Sequence, residues 1–524
     1  MDAIEQARDV YGKFKGQPFR QFQRETIEAI VNSSKRVVIV RSPCGSGKSL
    51  ISMIVGQMEP KFAYTCSSKS LQDQVQRDFG AEVKLLKGRS NYPCTYIPRN
   101  NAGQCINSPS TPCPAQHKCA YRLQKRAVDA HPRQVLNYPY VMTEFNDVGS
   151  MNGGDPYPLM IADEADVLES IISSFVSLPI SNQAISRYGL QRPPFKTFSE
   201  VNVSEWLTWS RGLERKLRPK LDYLGEAIAM ADGMQPYELL SLQKEQQELT
   251  SLLAKVGIFV NNVDKTWVAN ISDRQTEFKP LWLRESLAEQ YYWRHARKHV
   301  LLSATWPEPD IIARTLGLPI GDIDMIDVPS TFPVGANPVY LCNVGDMSRK
   351  TIASSTPRIL DAINTLLNYH GNHKGVIHTG NYEVMRAIMA TGNPRLISHD
   401  QFNKQAQIDK FTQSNKPLVF VSPSSTRGLD LPGDLCRFTV TAKAPYQSLG
   451  DSFVAGRTYS KPLGQRWFTS CCAQEIEQGV GRGMRSQNDW CENYILDIAA
   501  CKLIAGQRSM FGEYFNQSVK FKSL

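Results

Sequence analysis

The sequence predicts an α/β protein built on parallel sheets, and three observations carry that expectation. A short β-branched run at residues 37–40 leads straight into a glycine-rich loop and then an apolar, helix-permissive stretch at 50–55. A second apolar run at 158–162 ends in the acids Asp163 and Glu164, at the strand end where parallel sheets place ligand-binding groups. A further run at 298–305 precedes a second series of short apolar strands, at 375–378, 418–421 and 438–441.

Composition bounds the rest. A length of 524 residues suggests about three or four units. Hydrophobic residues make up 41% of the chain, enough for packed cores. The formal net charge of +10 suits a polyanionic partner. The first residues show no basic and apolar leader, and no window approaches the ~20 apolar residues of a membrane span. A cytoplasmic protein without membrane association is therefore expected. Twelve cysteines in that compartment do not read as a disulfide framework. Cys342, Cys436 and Cys501 lie inside apolar runs and read as core thiols.

Taken in order, Phe22, Ile27 and Ile30 recur at near-helical spacing and predict an amphipathic helix before the first strand. Gln23 on that helix offers a donor and an acceptor, which suit the edge of an adenine. The loop from Ser42 to Ser49 follows the G-x-x-x-x-G-K-[ST] pattern with Ser42 in place of the first glycine. Gly45, Ser46 and Gly47 let backbone amides turn toward phosphate oxygens, Lys48 adds a cation, and Ser49 offers a hydroxyl to Mg²⁺. Residues 61–74 read as strand, polar turn and helix, with Lys69 at the helix start where a nucleic-acid phosphate or an ordinary cap both fit.

From Lys87 the α/β rhythm breaks. About 45 residues rich in Pro, Asn, Ser and Cys lack the apolar content for a core. Cys94, Cys105, Cys113 and Cys119 lie there, so a metal or cluster is expected as the staple. Four thiolates suit a [4Fe–4S] cluster or Zn²⁺. Gaps of ten, seven and five residues lack the C-x₂-C pairs of zinc ribbons and favour iron–sulfur. His117 reads as a surface residue.

The strand at 158–162 then presents Asp163, placed to hold Mg²⁺ through water, and Glu164, placed to polarise an attacking water. Residues 170–265 carry two apolar stripes. Trp206, Trp209, Leu213, Leu217, Leu221 and Leu224 mark one long helix, interrupted at Pro219. Leu239, Leu242, Leu249, Leu252 and Val256 mark a second, and the pair reads as an inserted αα-hairpin. Near the end, Gln478, Arg482 and Arg485 fall at i, i+4 and i+7, on what reads as one helix face. Two arginines there can reach a γ-phosphate across a cleft.

The ordered motifs Ser-Pro-Cys-Gly-Ser-Gly-Lys-Ser, Asp-Glu-Ala-Asp, Ser-Ala-Thr, Gly-Leu-Asp and Gln-x-x-Gly-Arg-x-x-Arg resemble those of a superfamily 2 helicase. With the cysteine insertion before Asp163, the chain resembles the iron–sulfur XPD/DinG family over nearly its whole length. The resemblance implies two RecA-like parallel-sheet domains, with a cysteine-rich Fe–S insertion and a helical arch in the first. The boundaries it implies are 1–88, 135–169 and 269–305 for the first RecA-like domain, 89–134 for the cluster insertion, 170–268 for the arch and 306–524 for the second domain.

It also implies ATP-driven 5′→3′ translocation on single-stranded DNA and unwinding of forked duplex DNA by a monomer. By match, Gln23 reads adenine, and Lys48, Ser49, Asp163 and Glu164 form the ATP–Mg²⁺ site. Cys94, Cys105, Cys113 and Cys119 hold the [4Fe–4S] cluster, with Zn²⁺ as the alternative. Gly428 and Asp430 couple the second domain to ATP, with Gln478 nearby, and Arg482 and Arg485 are arginine fingers. Two departures stand out. Asp166 replaces the usual His, which implies altered coupling between the ATP and DNA sites, and Arg427 stands where Glu is common. The short chain would suit a phage or mobile-element protein. The rival readings are a translocase or remodelling ATPase that does not unwind, on DNA or RNA, and a non-catalytic nucleic-acid-binding scaffold.

Overall fold

The computed structural model describes residues 2–43, 45–97, 99–105, 113–148, 151–193, 202–230, 234, 236–423, 431–484 and 488–524. Gly428, Asp430 and Arg485 lie outside the described residues.

Strands β1 (Val37–Arg41), β2 (Phe62–Cys66), β3 (Lys84–Leu85), β4 (Arg133–Asn137) and β5 (Tyr157–Asp163) come first in the chain. Strands β6 (Leu178–Ser181), β7 (Trp267–Ile271) and β8 (Gln275–Pro280) flank a pair of long helices. Strands β9 (Ala296–Ser303) and β10 (Ile323–Asp327) follow. The last seven are β11 (Val339–Gly345), β12 (Gly375–His378), β13 (Leu396–Ser398), β14 (Val419–Ser422), β15 (Phe438–Thr441), β16 (Glu492–Asp497) and β17 (Val519–Phe521).

Two parallel sheets result, as expected of a two-domain RecA-like α/β fold. The first has the order β10-β1-β9-β5-β2-β4-β3 and the second β13-β14-β12-β15-β16-β11-β17. The apolar run of β1 explains its central place. Val37, Val38, Ile39 and Val40 are all fully buried, and successive side chains enter different cores. Val37 and Ile39 pack on one face of the sheet, Val38 and Val40 on the other. The same division occurs in β12, where Val376 and Ile377 face opposite ways. Strand β10 pairs with β1 from Val37↔Ile323 to Arg41↔Asp327, so the chain leaves the first sheet after Asp327, past the expected junction at 305.

The inserted hairpin is present as the helices Val203–Ala229 and Pro236–Asn262. Each is about 40 Å long. Trp206, Trp209, Leu213, Leu217 and Leu224 are buried on the first helix, and Leu249 and Val256 on the second. The expected break at Pro219 does not occur: the helix runs through it. Pro219 is exposed, so the carbonyl it leaves unpaired can meet water. The buried stripe on both sides of it offsets the local cost of about 3 kcal/mol.

The hairpin stands on a three-stranded antiparallel sheet, β6-β8-β7, that the sequence reading did not anticipate. Trp206 meets Phe278 of β8 edge-on at 5.1 Å, and Phe259 meets Trp267 of β7 at 5.4 Å. These rings build a separate core for the insertion.

The two lobes meet through a dry contact around Arg457. Its guanidinium is fully buried, 4.7 Å from the ring centres of Trp282 and Trp467 and 4.5 Å from that of Phe453. It donates to Glu169 Oε1 at 2.8 Å, on the helix that follows the acidic motif.

Candidate nucleotide-binding cleft

The loop after β1 is held by its own short side chains. Ser42 and Ser46 share a hydroxyl contact of 2.6 Å, and Ser46 Oγ donates to the Pro43 carbonyl. Ser42, which departs from the glycine pattern, is thus a fully buried strut of the loop. The Lys48 ammonium donates to the carbonyls of Ser42 and Pro43 at 3.0 and 3.2 Å. Gly47 has φ +85°, and a Cβ there would fall 2.2 Å from the Gln23 amide nitrogen. That closeness reflects a direct bond: Gln23 Nε2 donates to Ser46 O at 3.0 Å, while its Oε1 accepts from the Arg20 amide. Arg20 Nη1 donates to Gly45 O. As placed, Gln23 grips the loop itself.

Ser49 and Asp163 meet through a residue the sequence reading missed. The fully buried Tyr64 phenol of β2 contacts the Ser49 hydroxyl and donates to Asp163 Oδ2. A tyrosine in the apolar run Phe62–Cys66 carried no separate signal. The hydroxyl and the carboxylate are hard oxygen donors, a set that fits Mg²⁺. Glu164 follows in a left-handed conformation, φ +51°. A non-glycine residue there is strained. Ser67 Oγ donates to its carboxylate. Burial raises the Glu164 proton affinity above the usual carboxylate range, with the Ser67 bond opposing.

Asp166 ties three motifs together. Its Oδ1 accepts from Ser303 Oγ at 2.9 Å and its Oδ2 from Gln478 Nε2 at 3.0 Å. Gln478 also donates to Thr305 Oγ1 at 2.7 Å. Asp166 and Ser303 belong to the first lobe and Gln478 to the second, so one carboxylate bridges the cleft. The cavity there is about 980 Å³, and Lys48, Glu164, Gln478 and Arg482 line it.

Arg482 reaches the cleft differently from expectation. The helix Gly464–Gly479 stops before it, and Gly481 to Gly483 form a turn. Gln478 and Arg482 therefore do not share a helix face. The turn packs so closely that a Cβ on Gly483 would fall 2.0 Å from the Cys436 carbonyl oxygen. A second missed residue fixes this turn. Asn493 of β16 is fully buried; its Oδ1 accepts from the Gly481 amide at 2.9 Å and from Thr439 Oγ1 at 2.7 Å. Its Nδ2 donates to Asn337 Oδ1, Pro338 O and Cys491 O.

The cysteine insertion is less converged. Cys94 Sγ accepts from the Ile97 amide at 3.3 Å, Cys105 is exposed, Cys113 is half-buried, and Cys119 directly precedes the helix Ala120–Asp129. None of the four is in a disulfide, so the donor chemistry fits a cluster. Among the described residues, no group of three or more His, Cys, Asp or Glu is drawn together closely enough to hold a metal. Ser68, beside Lys69, caps its own helix through the Leu71 amide. No helix among the described residues is long and apolar enough to cross a membrane.

Comparison with known proteins bears on the fold. Residues 370–501 match the family of helicase C-terminal domains. The chain superposes on a structure titled XPD helicase with a TM-score of 0.66 at 14% identity, over 97% of this chain and 100% of that one. The Xpd4 structure of S. tokodaii gives 0.61 at 16% identity, over 96% and 100%. A structure titled XPD apo gives 0.61 at 15% identity, over the same shares. No curated protein matches the sequence. The fold is thus that of the XPD helicases, in accord with the motif order in the sequence.

Proposed function

We propose that the protein is an ATP-dependent helicase that moves 5′→3′ along single-stranded DNA and opens duplex DNA ahead of it. The observation that carries this reading is the bridge from Gln478 to Asp166 and Thr305, which joins the lobe of Arg482 to the lobe of Lys48 across one cleft. Lys48 exchanges its loop carbonyls for the β- and γ-phosphates of ATP. Ser49 and Asp163 would hold Mg²⁺, which would neutralise charge on the phosphate oxygens. Glu164 orients the attacking water. Arg482, and Arg485 by motif match, offset charge on the transferred phosphoryl.

Opening and closing of the cleft moves the second lobe along the strand. Because Asp166 touches Ser303 and Gln478 together, turnover and lobe position are linked through that carboxylate. Cys94, Cys105, Cys113 and Cys119 hold a [4Fe–4S] cluster in an insertion too poor in apolar residues to fold on a core of its own. The supporting facts are four thiols free of disulfides in one segment and the fold shared with the XPD structures. The protein acts as a monomer in the cytoplasm.

The test is unwinding of duplexes with a 5′ or a 3′ single-stranded tail, with ATP turnover followed on DNA and RNA strands in parallel. Opening of the 5′-tailed duplex alone is expected. Turnover without opening of either duplex would replace the helicase with a translocase, and preference for the RNA strand would replace the substrate.

A further inference from the structure

The cavity of the cleft has two kinds of lining. Lys48, Glu164 and Arg482 are charged and belong to the phosphate chemistry, whereas Phe332, Val334 and Tyr514 are apolar or aromatic. The second group forms one patch, because the Tyr514 hydroxyl donates to the Pro333 carbonyl at 3.3 Å. At about 980 Å³ the cavity lies in the upper part of the ~300–1,000 Å³ range of small-molecule sites, so a chain of phosphates alone leaves much of it unfilled.

Tyr514 sits on a segment that is fixed at the cleft. Its ring is half-buried, on the short helix Glu513–Ser518. Just before that helix the Gly512 amide donates to Glu477 Oε1 at 3.1 Å. Asn516 Nδ2 donates to the carbonyls of Arg508 and Phe511 at 2.9 and 3.2 Å, which folds the segment back on itself. Beyond the helix, β17 pairs with β11, with Val519 opposite Val339. There the Lys522 ammonium lies 4.5, 5.2 and 5.1 Å from the ring centres of Tyr340, Tyr369 and Tyr494.

The acids that share this part of the lining are engaged. Glu513 accepts from Gln517, Asp327 lies 3.5 Å from Arg41, and Glu477 accepts from the Gly512 amide. Arg508 lines the cavity too, and among the described residues its guanidinium makes no hydrogen bond or ion pair. Gln23, which the sequence offers for adenine, has both ends of its amide bonded within its own lobe and is not among the lining residues.

We infer that the base of the bound nucleotide packs against Tyr514, so that the C-terminal segment of the second lobe, rather than Gln23, holds it. The inference rests on the reading of this cleft as an ATP site and adds to it a residue that no motif marks. An aromatic face accepts any base, because every base has a flat π-surface. The site therefore selects for the presence of a base more than for adenine. The bonds of Gly512, Tyr514 and Asn516 fix the ring beforehand, so packing on it costs little ordering entropy. With its phosphates on Lys48 and its base on Tyr514, one nucleotide spans both lobes.

The experiment measures KM and kcat, with single-stranded DNA present, for ATP and for ribose 5′-triphosphate, which keeps the phosphates and lacks the base. Tyr514→Ala is expected to raise the KM for ATP about tenfold and to leave the KM for ribose 5′-triphosphate as it is. The loss should fall on KM rather than kcat, because the base is held alike in the ground and transition states. Tyr514→Phe, which keeps the ring, should restore the KM for ATP. If wild type turns over ATP and Tyr514→Ala shows the same KM, the inference is overturned while the ATP reading stands. An equal rise in KM for both substrates also overturns it, since the ring would then shape the cleft as a whole. If wild type turns over neither substrate, the ATP reading falls and takes the base contact with it.

Discussion

Replacing Asn493 by Ala should uncouple Arg482 from the cleft and cost a large part of the second lobe's stability. The amide is fully buried and serves five partners: it accepts from Gly481 N and Thr439 Oγ1 and donates to Asn337 Oδ1, Pro338 O and Cys491 O. Truncation leaves several of these groups in a dry site, each at about 1–3 kcal/mol when unsatisfied. Some re-pair with one another, so a net loss of about 3–5 kcal/mol is expected, out of the roughly 5–15 kcal/mol that holds a domain. Urea unfolding reads that loss directly.

The functional consequence is separable. Gly481 immediately precedes Arg482, and its amide bond to Asn493 sets the turn. Arg482 acts on charge that develops during phosphoryl transfer, so its displacement should lower kcat at least about tenfold with little change in ATP affinity. Asn493→Ala in an Arg482→Ala background should lower kcat no further. An Asn493→Ala protein that loses less than about 1 kcal/mol and turns over ATP at the wild-type rate would refute the reasoning.

Substitutions at two other positions test the energetics of the cleft and of the lobe contact. Burial pushes the Glu477 carboxyl, beside Gln478, up to about 7 from an ordinary 4.5, while the Gly512 amide bond opposes the shift. The folded chain therefore binds this proton more tightly, and that contribution is full below about pH 4.5 and lost as pH rises through about 7. Relative to wild type, Glu477→Gln should gain stability by up to roughly 3 kcal/mol between pH 5 and pH 8. Urea midpoints that run parallel with pH in the two proteins would contradict this. Arg457→Ala should cost about 3–5 kcal/mol, because it leaves Glu169 without its cation and opens a hole between three rings, whereas Arg457→Met should cost distinctly less. Equal thermal unfolding of the two variants would count against the contact.

Much of the scaffold is legible in local sequence. The run at Val37–Val40 reads as a strand buried on both faces because it is unbroken and β-branched, and it is the one from which the phosphate loop springs. The stripes on the two long helices read correctly because apolar side chains repeat at 3.6-residue spacing over about five turns, a signal strong enough to outweigh Pro219. Strands β7 and β8 were not legible. Their apolar residues alternate with Asn, Gln, Glu and Lys over only a few positions, and the pairing of β8 with β6 spans the whole hairpin.

At the site, Lys48, Asp163, Glu164 and Gln478 announce themselves by motif. Tyr64 and Asn493 do not, because each works through a hydrogen bond to a residue distant in the chain, and nothing periodic marks such a pair. The turn at Arg482 is not legible because the i, i+4, i+7 spacing of Gln478, Arg482 and Arg485 looks the same whether or not the backbone stays helical. Gly483 marks it sterically: the backbone there lies against the Cys436 carbonyl, where no side chain fits.

The central claim is that the cleft between Lys48 and Arg482 turns over ATP in response to a bound strand. ATP hydrolysis by wild type and by Lys48→Ala, each with and without single-stranded DNA, measures it most directly. The account predicts turnover in wild type that the strand accelerates, and none in Lys48→Ala under either condition. Undiminished strand-stimulated hydrolysis by Lys48→Ala would contradict it.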